Sequence, residues 1–288
     1  VAWDKSLWFF SERARRAWSV RLPRSFVWEA QQGESEAMAL LLQAHGIPVL
    51  PCAFVEKEKA LRDLAGTRDY ILSHPALSQF PLFVKPNNLG SSIGVSRANN
   101  PAELDQALAK ALKFDSQVLI EPCLVEKFEI NVSVLDGEPP VASVVEIPVT
   151  KSDSGTLTFE DKYMHGGKGK KGPVGPSQGM AGLTRVIDPK DLPNEMKEMV
   201  RQSAVKAFEV LGCSGISRFD YIVNSNTNEV YFNELNPIPG SLAHYLWSAS
   251  HPPRIYTEIL DQAIQRAQKL SREKASLQRD TGFKALFQ

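Results

Sequence analysis

Two segments near the C-terminal end place polar side chains where strand patterns normally carry apolar ones. Arg218 and Asp220 are two positions apart, so in a β-strand they share one face. Glu234 and Asn236 share a face in the same way. Two such strands side by side offer a guanidinium, two carboxylates and an amide. The oxygen ligands suit a magnesium ion that already holds phosphates, and Arg218 would lie beside the transferred phosphoryl oxygens.

The plainer alternative for this strand pair is an edge salt bridge between Arg218 and Glu234, with Asn236 forming a turn. Taken alone, the strand pair favours that structural interpretation. Other segments of the chain outweigh it, because they have the character of phosphate- and nucleotide-binding sites.

One of these segments resembles a phosphate-binding loop. Lys85 follows the apolar run at 80–84, and the small-residue loop after it includes Ser91 and Ser92. Backbone amides in such a loop can approach phosphate oxygens closely, and Lys85 adds a point charge for them. The loop lacks the Gly-Lys-Ser/Thr end of a Walker A motif, and a glycine–serine loop by itself is weak evidence for nucleotide binding.

Four further charged or polar residues have two interpretations each. Glu121 ends one strand pattern and Glu129 begins the next, where carboxylates either face solvent or flank a nucleotide. Lys162 and Tyr163 precede the Gly- and Lys-rich residues 166–182, which form either a solvated basic loop or a lid over phosphates. Composition does not choose between these alternatives.

Hydrophobic periodicity predicts the elements that position these residues. A capping-box-like pair, Asn100 and Glu103, marks the start of one helix, and an Asp-Gly turn between two alternating segments is typical of a hairpin. The predicted helices are 34–45, 101–113, 194–211 and 253–270, and the predicted strands are 47–50, 80–84, 118–121, 128–135, 141–147, 216–223 and 229–236. Helices mixed with antiparallel hairpins favour α+β lobes over a continuous parallel sheet.

The composition excludes several classes of protein. Of 288 residues, 33 are Lys or Arg and 33 are Asp or Glu, so net charge draws the chain neither to nucleic acid nor to an anionic membrane. The longest apolar runs are far shorter than the roughly 18 residues of a membrane-spanning helix. The three cysteines have no C-x-x-C spacing, which argues against a disulfide framework and favours a cytoplasmic location. We therefore expect small-molecule partners, without nucleic acid or membrane.

Five motifs, taken in order, resemble those of the D-alanine–D-alanine ligase family. They lie at residues 81–86 with 90–95, 118–121, 161–163, 215–220 and 233–241, and the resemblance covers residues 46 to 270. Each motif alone is modest, but their common order argues against a chance match.

The resemblance implies the ATP-grasp fold, in which two α+β lobes clamp ATP, and a reaction through an acyl phosphate. The implied cofactors are ATP and two magnesium ions, which manganese can replace. Lys85 and Lys162 would contact the ATP phosphates. Glu121 and the backbone to Leu124 would hold adenine, and Glu129 would face the ribose.

The resemblance also implies the residues of the reaction centre. Asp220, Glu234 and Asn236 would bind the magnesium ions. Arg218 and the Gly240 amide would stabilise the tetrahedral intermediate that forms when an amine attacks the acyl phosphate.

Four more residues match the family by position. Ser91 and Tyr163 match residues that close the site, and Ser92 lies beside Ser91 on the phosphate loop. Ser241 is the candidate for the acceptor carboxylate. Its surroundings, Asn-Pro-Ile-Pro-Gly-Ser, differ from the commoner family ending, which leaves the substrate open.

The sequence departs from the family pattern at its N-terminal side. We expect residues 1–33 to be a remnant of the family's N-terminal domain, 34–120 to be the small ATP-grasp lobe, and 121–288 the large lobe with the magnesium and acceptor site. A further ATP lysine would fall near Ser35, and Lys57 and Lys59 are the alternatives for it.

Three functions follow as hypotheses. The leading one is an ATP-dependent carboxylate–amine ligase, D-alanine–D-alanine ligase-like, with a role in peptidoglycan synthesis and cell wall biogenesis. The second is an ATP-grasp ligase that joins another amino acid or peptide. The third is a catalytically inactive nucleotide-binding regulatory module. A homodimer is an open alternative to a monomer, because dimers are common in the family.

Overall fold

The computed structural model describes residues 35–87, 94–149 and 184–276. This described part of the chain divides into two compact units. The first comprises residues 35–87, 94–128 and 222–233, and the second comprises 129–149, 184–221 and 234–276. The lobe boundary at residues 120 and 121 stays a prediction.

The first unit is built on a four-stranded sheet with the strand order β1-β4-β2-β3. Its strands are β1 (Ala53–Glu56), β2 (Leu82–Pro86), β3 (Ser96–Ala98) and β4 (Gln117–Pro122), and its helices are α1 (Ser35–Ala44), α2 (Lys57–Arg62), α3 (Leu64–Leu72) and α4 (Pro101–Ala111). All three strand pairs are antiparallel. A short 3-10 turn, Pro75–Leu77, precedes β2.

The core of the first unit lies between this sheet and α4. Val84 of β2, Ile120 of β4 and Leu108 of α4 belong to one buried cluster. Because side chains alternate along a strand, Lys85 and Glu121 project from the opposite face of the sheet. The core thereby fixes the direction in which both charged side chains point.

The predicted start of α4 is confirmed. The Asn100 side chain accepts a hydrogen bond from the Glu103 amide at 3.0 Å, and the Glu103 carboxylate accepts one from the Asn99 amide at 2.9 Å. These reciprocal contacts satisfy backbone donors that a helix N-terminus leaves unpaired. They also lower the pKa of Glu103, the backbone hydrogen bond from Asn99 being the largest cause.

The second unit holds most of a five-stranded sheet with the order β7-β6-β5-β8-β9. The strands are β5 (Lys127–Leu135), β6 (Val141–Val149), β7 (Thr184–Ile187), β8 (Ile216–Asn224) and β9 (Val230–Asn236). The helices are α5 (Asn194–Val210), α6 (His244–Ser248) and α7 (Tyr256–Ser276), and a turn at Gly240–Ala243 precedes α6. β6 pairs antiparallel with β5 and with β7.

Helix α5 packs on one face of this sheet. The Phe208 ring of α5 lies 6.4 Å from the Phe219 ring of β8, centroid to centroid. Phe219 and Tyr221 are both buried. The alternating residues Arg218 and Asp220 must therefore project from the other face, away from α5.

Helix α7 is attached to the turn after β5. Ile259 of α7 is buried against Leu135 and Trp247, and the Arg266 guanidinium donates to the Asp136 carboxylate at 2.8 Å. Of the helices in the described ranges, none combines the length and the apolarity that crossing a membrane requires.

The predicted α+β class is confirmed, and most predicted elements occur with ends shifted by a few residues. The strand predicted at 47–50 is wrong, because only Val49 makes a ladder contact there, a single parallel bridge to Phe232. The unpredicted elements are β1, α2, α3, β3, β7 and α6.

Candidate active site

The polar face of β8 carries a compact cluster of charged and amide groups. The Arg218 guanidinium donates from Nε to Asp220 Oδ1 at 2.7 Å and from Nη2 to Asp220 Oδ2 at 2.7 Å. Asn236 of β9 donates from Nδ2 to the same Oδ2 at 2.9 Å. The hydrogen bonds to Asp220 are the main reason why the pKa of Arg218 is raised. The expected shared face of Arg218 and Asp220 is thus confirmed.

The plainer alternative from the sequence is a salt bridge between Arg218 and Glu234. Arg218 makes its two-pronged contact with Asp220, its neighbour on the same strand. Glu234 is exposed at its position on β9, two residues before Asn236. A fork between a guanidinium and a carboxylate is the strong form of this ion pair, because two parallel hydrogen bonds fix its geometry.

The oxygen donors of this cluster fit a magnesium ion that brings its own phosphate ligands. Within 35–87, 94–149 and 184–276, no three His, Cys, Asp or Glu side chains gather as a metal site. Asp220, Glu234 and Asn236 provide two carboxylates and one amide on neighbouring strands. Magnesium is commonly held by one or two carboxylates together with substrate phosphates, so this donor set suits a nucleotide-bound ion.

A second polar cluster, which the sequence did not predict, lies around Glu146 of β6. Glu146 is only 2% exposed. Its Oε1 accepts hydrogen bonds from the Tyr245 hydroxyl at 2.7 Å and from Asn131 Nδ2 at 3.2 Å. Its Oε2 lies 3.6 Å from Arg185 Nη1, and the Arg185 guanidinium stacks 4.3 Å from the centroid of the Tyr245 ring.

This second cluster is electrostatically linked to Arg218. Both Tyr245 and Glu146 contribute to the raised pKa of Arg218. Burial, followed by the charge of Glu146, raises the pKa of Tyr245 well above its usual range. Tyr245 is therefore a neutral hydroxyl that donates to Glu146 at any physiological pH.

The backbone at the candidate acceptor position has an unusual conformation. Ser241, Leu242 and Ala243 have φ angles of 51°, 50° and 48°, so three consecutive non-glycine residues are left-handed. Such residues normally occur singly, because Cβ approaches the following carbonyl oxygen. Gly240 and Ser241 are both exposed at the start of this turn.

In the first unit, Lys85 and Glu121 form an ion pair. Glu121 is 6% exposed, whereas the Lys85 side chain is 26% exposed. Lys85 faces Leu119 across the β2–β4 ladder, and Glu121 faces Phe83, so the two charges lie diagonally on one face. Leu124 is half-buried just after β4.

Comparisons with known proteins identify the family of this chain. The model of the D-Ala-D-Ala ligase C-terminus matches residues 41–265. The chain belongs to the D-alanine–D-alanine ligase family. It is 38% identical over 205 residues to the D-alanine–D-alanine ligase of Legionella pneumophila, an alignment that covers 67% of this chain and 51% of that enzyme. It is 33% identical over 233 residues to the ligase of Acetivibrio thermocellus, covering 79% of this chain and 56% of that enzyme.

The fold is also that of the family. The D-alanine–D-alanine ligase structure from Coxiella burnetii matches with a TM-score of 0.62 and 26% identity, over 84% of this chain and 58% of that one. The predicted ATP-grasp fold is thereby confirmed. The chain spans about half the length of the curated ligases that it matches.

The structure brings only part of the family's predicted site together in the described residues. Arg218, Asp220 and Asn236 are in contact in the second unit, and Glu129 of β5 belongs to that unit too. Lys85 and Glu121 are in contact in the first unit. Their ligase roles stay predictions.

Four predicted site residues, Ser91, Ser92, Lys162 and Tyr163, lie outside the described residues. Of the alternatives for a further ATP lysine, Lys57 and Lys59 both lie on α2, and Lys59 Nζ is 3.7 Å from Glu56 Oε2 at the surface.

Sequence reasoning missed Glu146, Asn131, Arg185 and Tyr245. The sequence does contain a signal for Glu146, because it is a charged residue inside the apolar segment 141–149. A charge inside a strand pattern needs a partner when it is buried. The partners themselves carried no local signal.

Proposed function

We propose that this chain is the ATP- and magnesium-binding part of an ATP-dependent carboxylate–amine ligase that acts through an acyl phosphate, with D-alanine–D-alanine ligation as its activity. The observation that carries the proposal is the Arg218–Asp220–Asn236 cluster on one sheet face. It combines oxygen ligands for magnesium with a cation for phosphoryl oxygens, within a chain that belongs to the ligase family.

In the proposed site, Asp220, Glu234 and Asn236 hold magnesium, in two sites that manganese can also fill. Bound magnesium would neutralise charge on the ATP phosphates. Arg218 orients phosphoryl oxygens with its fork of N–H donors and, with the Gly240 amide, stabilises negative charge on the tetrahedral intermediate.

The nucleotide contacts are assigned residue by residue from the family resemblance. Lys85 and Lys162 would neutralise phosphate charge, and the loop residues Ser91 and Ser92 would contact phosphate. Glu121 and Leu124 would hold adenine and Glu129 the ribose. Tyr163 would close the site with Ser91, and Ser241 would contact the acceptor carboxylate. The Lys85–Glu121 ion pair supports the nucleotide assignment, since it keeps a cation and an acceptor together on one face.

The biological setting belongs to the same proposal. Joining D-alanine residues would serve peptidoglycan synthesis in the cytoplasm, with amino acids or short peptides as substrates. A homodimer is proposed on the family resemblance alone.

Two measurements test this function. ATP with magnesium should raise the melting temperature of the chain, because a ligand that binds only the folded state stabilises it. Phosphate release should then depend on an added amino acid, with D-alanine tested beside other amino acids and short peptides. Stabilisation by ATP without release for any acceptor would indicate a nucleotide-binding module, and no stabilisation at all would refute the ATP site.

A matched pair of variants tests the metal assignment. Glu234→Gln should abolish release while the chain stays folded, because it removes one of the two carboxylate charges that would hold magnesium. Glu229→Gln changes an exposed glutamate in the turn before β9 and should leave release unchanged. Full activity in Glu234→Gln would remove Glu234 from the metal site.

A further inference from the structure

Glu146 is a buried carboxylate to which the proposed ligase site assigns no role. Its Oε1 accepts two hydrogen bonds, from Tyr245 and Asn131. No described residue donates a hydrogen bond to its Oε2, although Arg185 lies 3.6 Å away. Burying a carboxylate costs free energy unless its partners compensate it. Stability alone therefore does not explain why the Glu146 carboxylate is buried with one oxygen that accepts no hydrogen bond from a described residue.

The contacts of Glu146 join two distant parts of the second unit. Asn131 and Glu146 are direct partners in the β5–β6 ladder, so they are fixed by the sheet. Tyr245 lies on α6, which follows the Gly240–Ala243 turn directly. The hydrogen bond between Tyr245 and Glu146 therefore ties the backbone just after the turn to the sheet.

The turn needs such a tie, because its backbone is strained. Three consecutive left-handed residues persist only where the surroundings hold them in place. Inside the turn, the Leu242 amide donates to the Pro239 carbonyl at 2.8 Å. Beyond the turn, side chains of the next residues attach it to the sheet: Tyr245 bonds Glu146, Trp247 Nε1 donates to Ser133 Oγ at 3.0 Å, and Ser250 Oγ accepts from the Val144 amide at 3.0 Å.

The tie from Tyr245 is the strongest of these, and Tyr245 also acts electrostatically on Arg218. A short bond to a carboxylate is charge-assisted, unlike the bond between Trp247 and the Ser133 hydroxyl. The Arg185 guanidinium also holds the Tyr245 ring in place from its face. Glu146 therefore controls both the orientation of Tyr245 and the charge distribution around Arg218.

We propose that Glu146 is a positioning residue of the ligase site: through Tyr245 it fixes the Gly240–Ala243 turn relative to Arg218. This inference rests on the proposed function, in which the Gly240 amide and Arg218 act on the same developing charge. Electrostatic stabilisation requires donors held at a fixed place before the reaction, so loosening the turn should cost turnover rather than nucleotide affinity.

The test compares Tyr245→Phe, Glu146→Gln and the double variant with the wild-type chain. Tyr231→Phe is the matched control, because Tyr231 donates its hydroxyl to Glu229 at 3.0 Å in an exposed hairpin outside the site. Hydrogen–deuterium exchange of the peptide 239–249 reports on the turn independently of activity. Steady-state kinetics of phosphate release report kcat and the KM values for ATP and for the acceptor.

We expect exchange of the 239–249 peptide to rise about tenfold in Tyr245→Phe and Glu146→Gln, and kcat to fall by about tenfold or more, as is typical when a residue that orients a site residue is removed. The KM for the acceptor should rise while the KM for ATP stays constant. Because Tyr245→Phe removes this contact and Glu146→Gln removes the charge that strengthens it, the double variant should lose no more than the worse single variant. Tyr231→Phe should match the wild type.

Unchanged exchange in Tyr245→Phe would overturn the inference, and so would faster exchange with unaltered kcat and acceptor KM. Additive losses in the double variant would show that the two residues act separately, which also refutes it. A wild-type chain that releases no phosphate refutes the proposed function instead, and the exchange data then still decide whether Glu146 holds the turn.

Discussion

Replacing Asp220 with Asn removes the negative charge at the centre of the polar face of β8. Asparagine has the same size, but one carboxylate oxygen becomes an NH₂ group, which cannot accept from Arg218. Asp220 accepts three short hydrogen bonds, two from Arg218 and one from Asn236. At least one charge-assisted bond is lost outright, and the Arg218 guanidinium loses its counter-charge.

The cost can be estimated from these contacts. Hydrogen bonds to charged groups contribute roughly 1.5–3 kcal/mol each. The Arg218 and Asp220 side chains are 24% and 12% exposed, so solvent screens the pair in part. After that discount we expect Asp220→Asn to lower the free energy of unfolding by about 2–3 kcal/mol. For a chain of this size the melting temperature should fall by roughly 4–12 °C.

Calorimetry with and without ATP and magnesium separates structure from function. At a hundred times its Kd, a ligand stabilises the folded state by about 2.7 kcal/mol. The wild-type chain should show this gain, and Asp220→Asn should not, because it lacks a magnesium ligand.

Asp188→Asn is the control for this experiment. Asp188 accepts from Lys197 Nζ at 2.7 Å, and its φ of 46° is one that asparagine tolerates. The Asp188 side chain is 46% exposed, against 12% for Asp220, so the loss should be about 1 kcal/mol or less, with the ATP effect intact. An ATP-induced shift of wild-type size in Asp220→Asn would refute the magnesium assignment, and an unchanged melting temperature would refute the energetic reasoning.

Three further predictions follow from single residues. Lys85→Met leaves the buried Glu121 carboxylate without its ammonium partner, so calorimetry should show a lower melting temperature and no gain from ATP; a gain of wild-type size would contradict this. Ser241→Gly relieves one left-handed residue, and urea denaturation should show a gain of up to about 1 kcal/mol after the entropic cost of glycine, whereas a loss would contradict the strain. Burial raises the pKa of Cys213 to about 11, so its thiol is protonated at neutral pH and loses its proton only as the pH approaches that value. Alkylation by iodoacetamide at pH 8 should be about a hundredfold slower than in the unfolded chain, and equal rates would show that the thiol is accessible and ionised.

The sequence predicted those parts of the fold that depend on neighbouring residues. Alternation and an Asp-Gly turn specify the β5–β6 hairpin locally, and the structure pairs these strands antiparallel. The capping pair Asn100 and Glu103 likewise lies within one helical turn, so its geometry could be expected from spacing alone.

The strand predicted at 47–50 failed for a local reason that only its surroundings reveal. Pro48 has no N–H to donate, and its carbonyl accepts from the Phe232 amide at 2.8 Å. Val49 forms the single bridge. The apolar segment 47–50 therefore makes one bridge to β9 instead of pairing along it as a strand. Helices α2 and α3 were not predicted. Short helices contain too few turns to show a clear hydrophobic periodicity, and they are stabilised mainly by tertiary packing.

The candidate site shows the same limit. Arg218 and Asp220 could be found because they lie two residues apart on one strand. Tyr245 and Glu146 are 99 residues apart, and no spacing rule connects them. The left-handed turn opposes local preference at each of its residues, so propensity predicts against it. Its position in the candidate site is typical of strained backbone, which surrounding contacts must maintain.

The ion pair between Arg218 and Asp220 also explains how stability and function can share the same charges. The oxygens of Asp220 that accept from Arg218 are also the ones that would ligate a cation, so a bound cation would weaken the contact with the guanidinium. Under the proposed function, Arg218 would then turn donors towards another anion when Asp220 holds a metal. Phosphate oxygens suit that exchange, because a guanidinium forks a phosphate as well as a carboxylate. The pair thus holds both charges in place on the sheet face where the reaction would need them, and a substitution at Asp220 should change stability and ATP binding together.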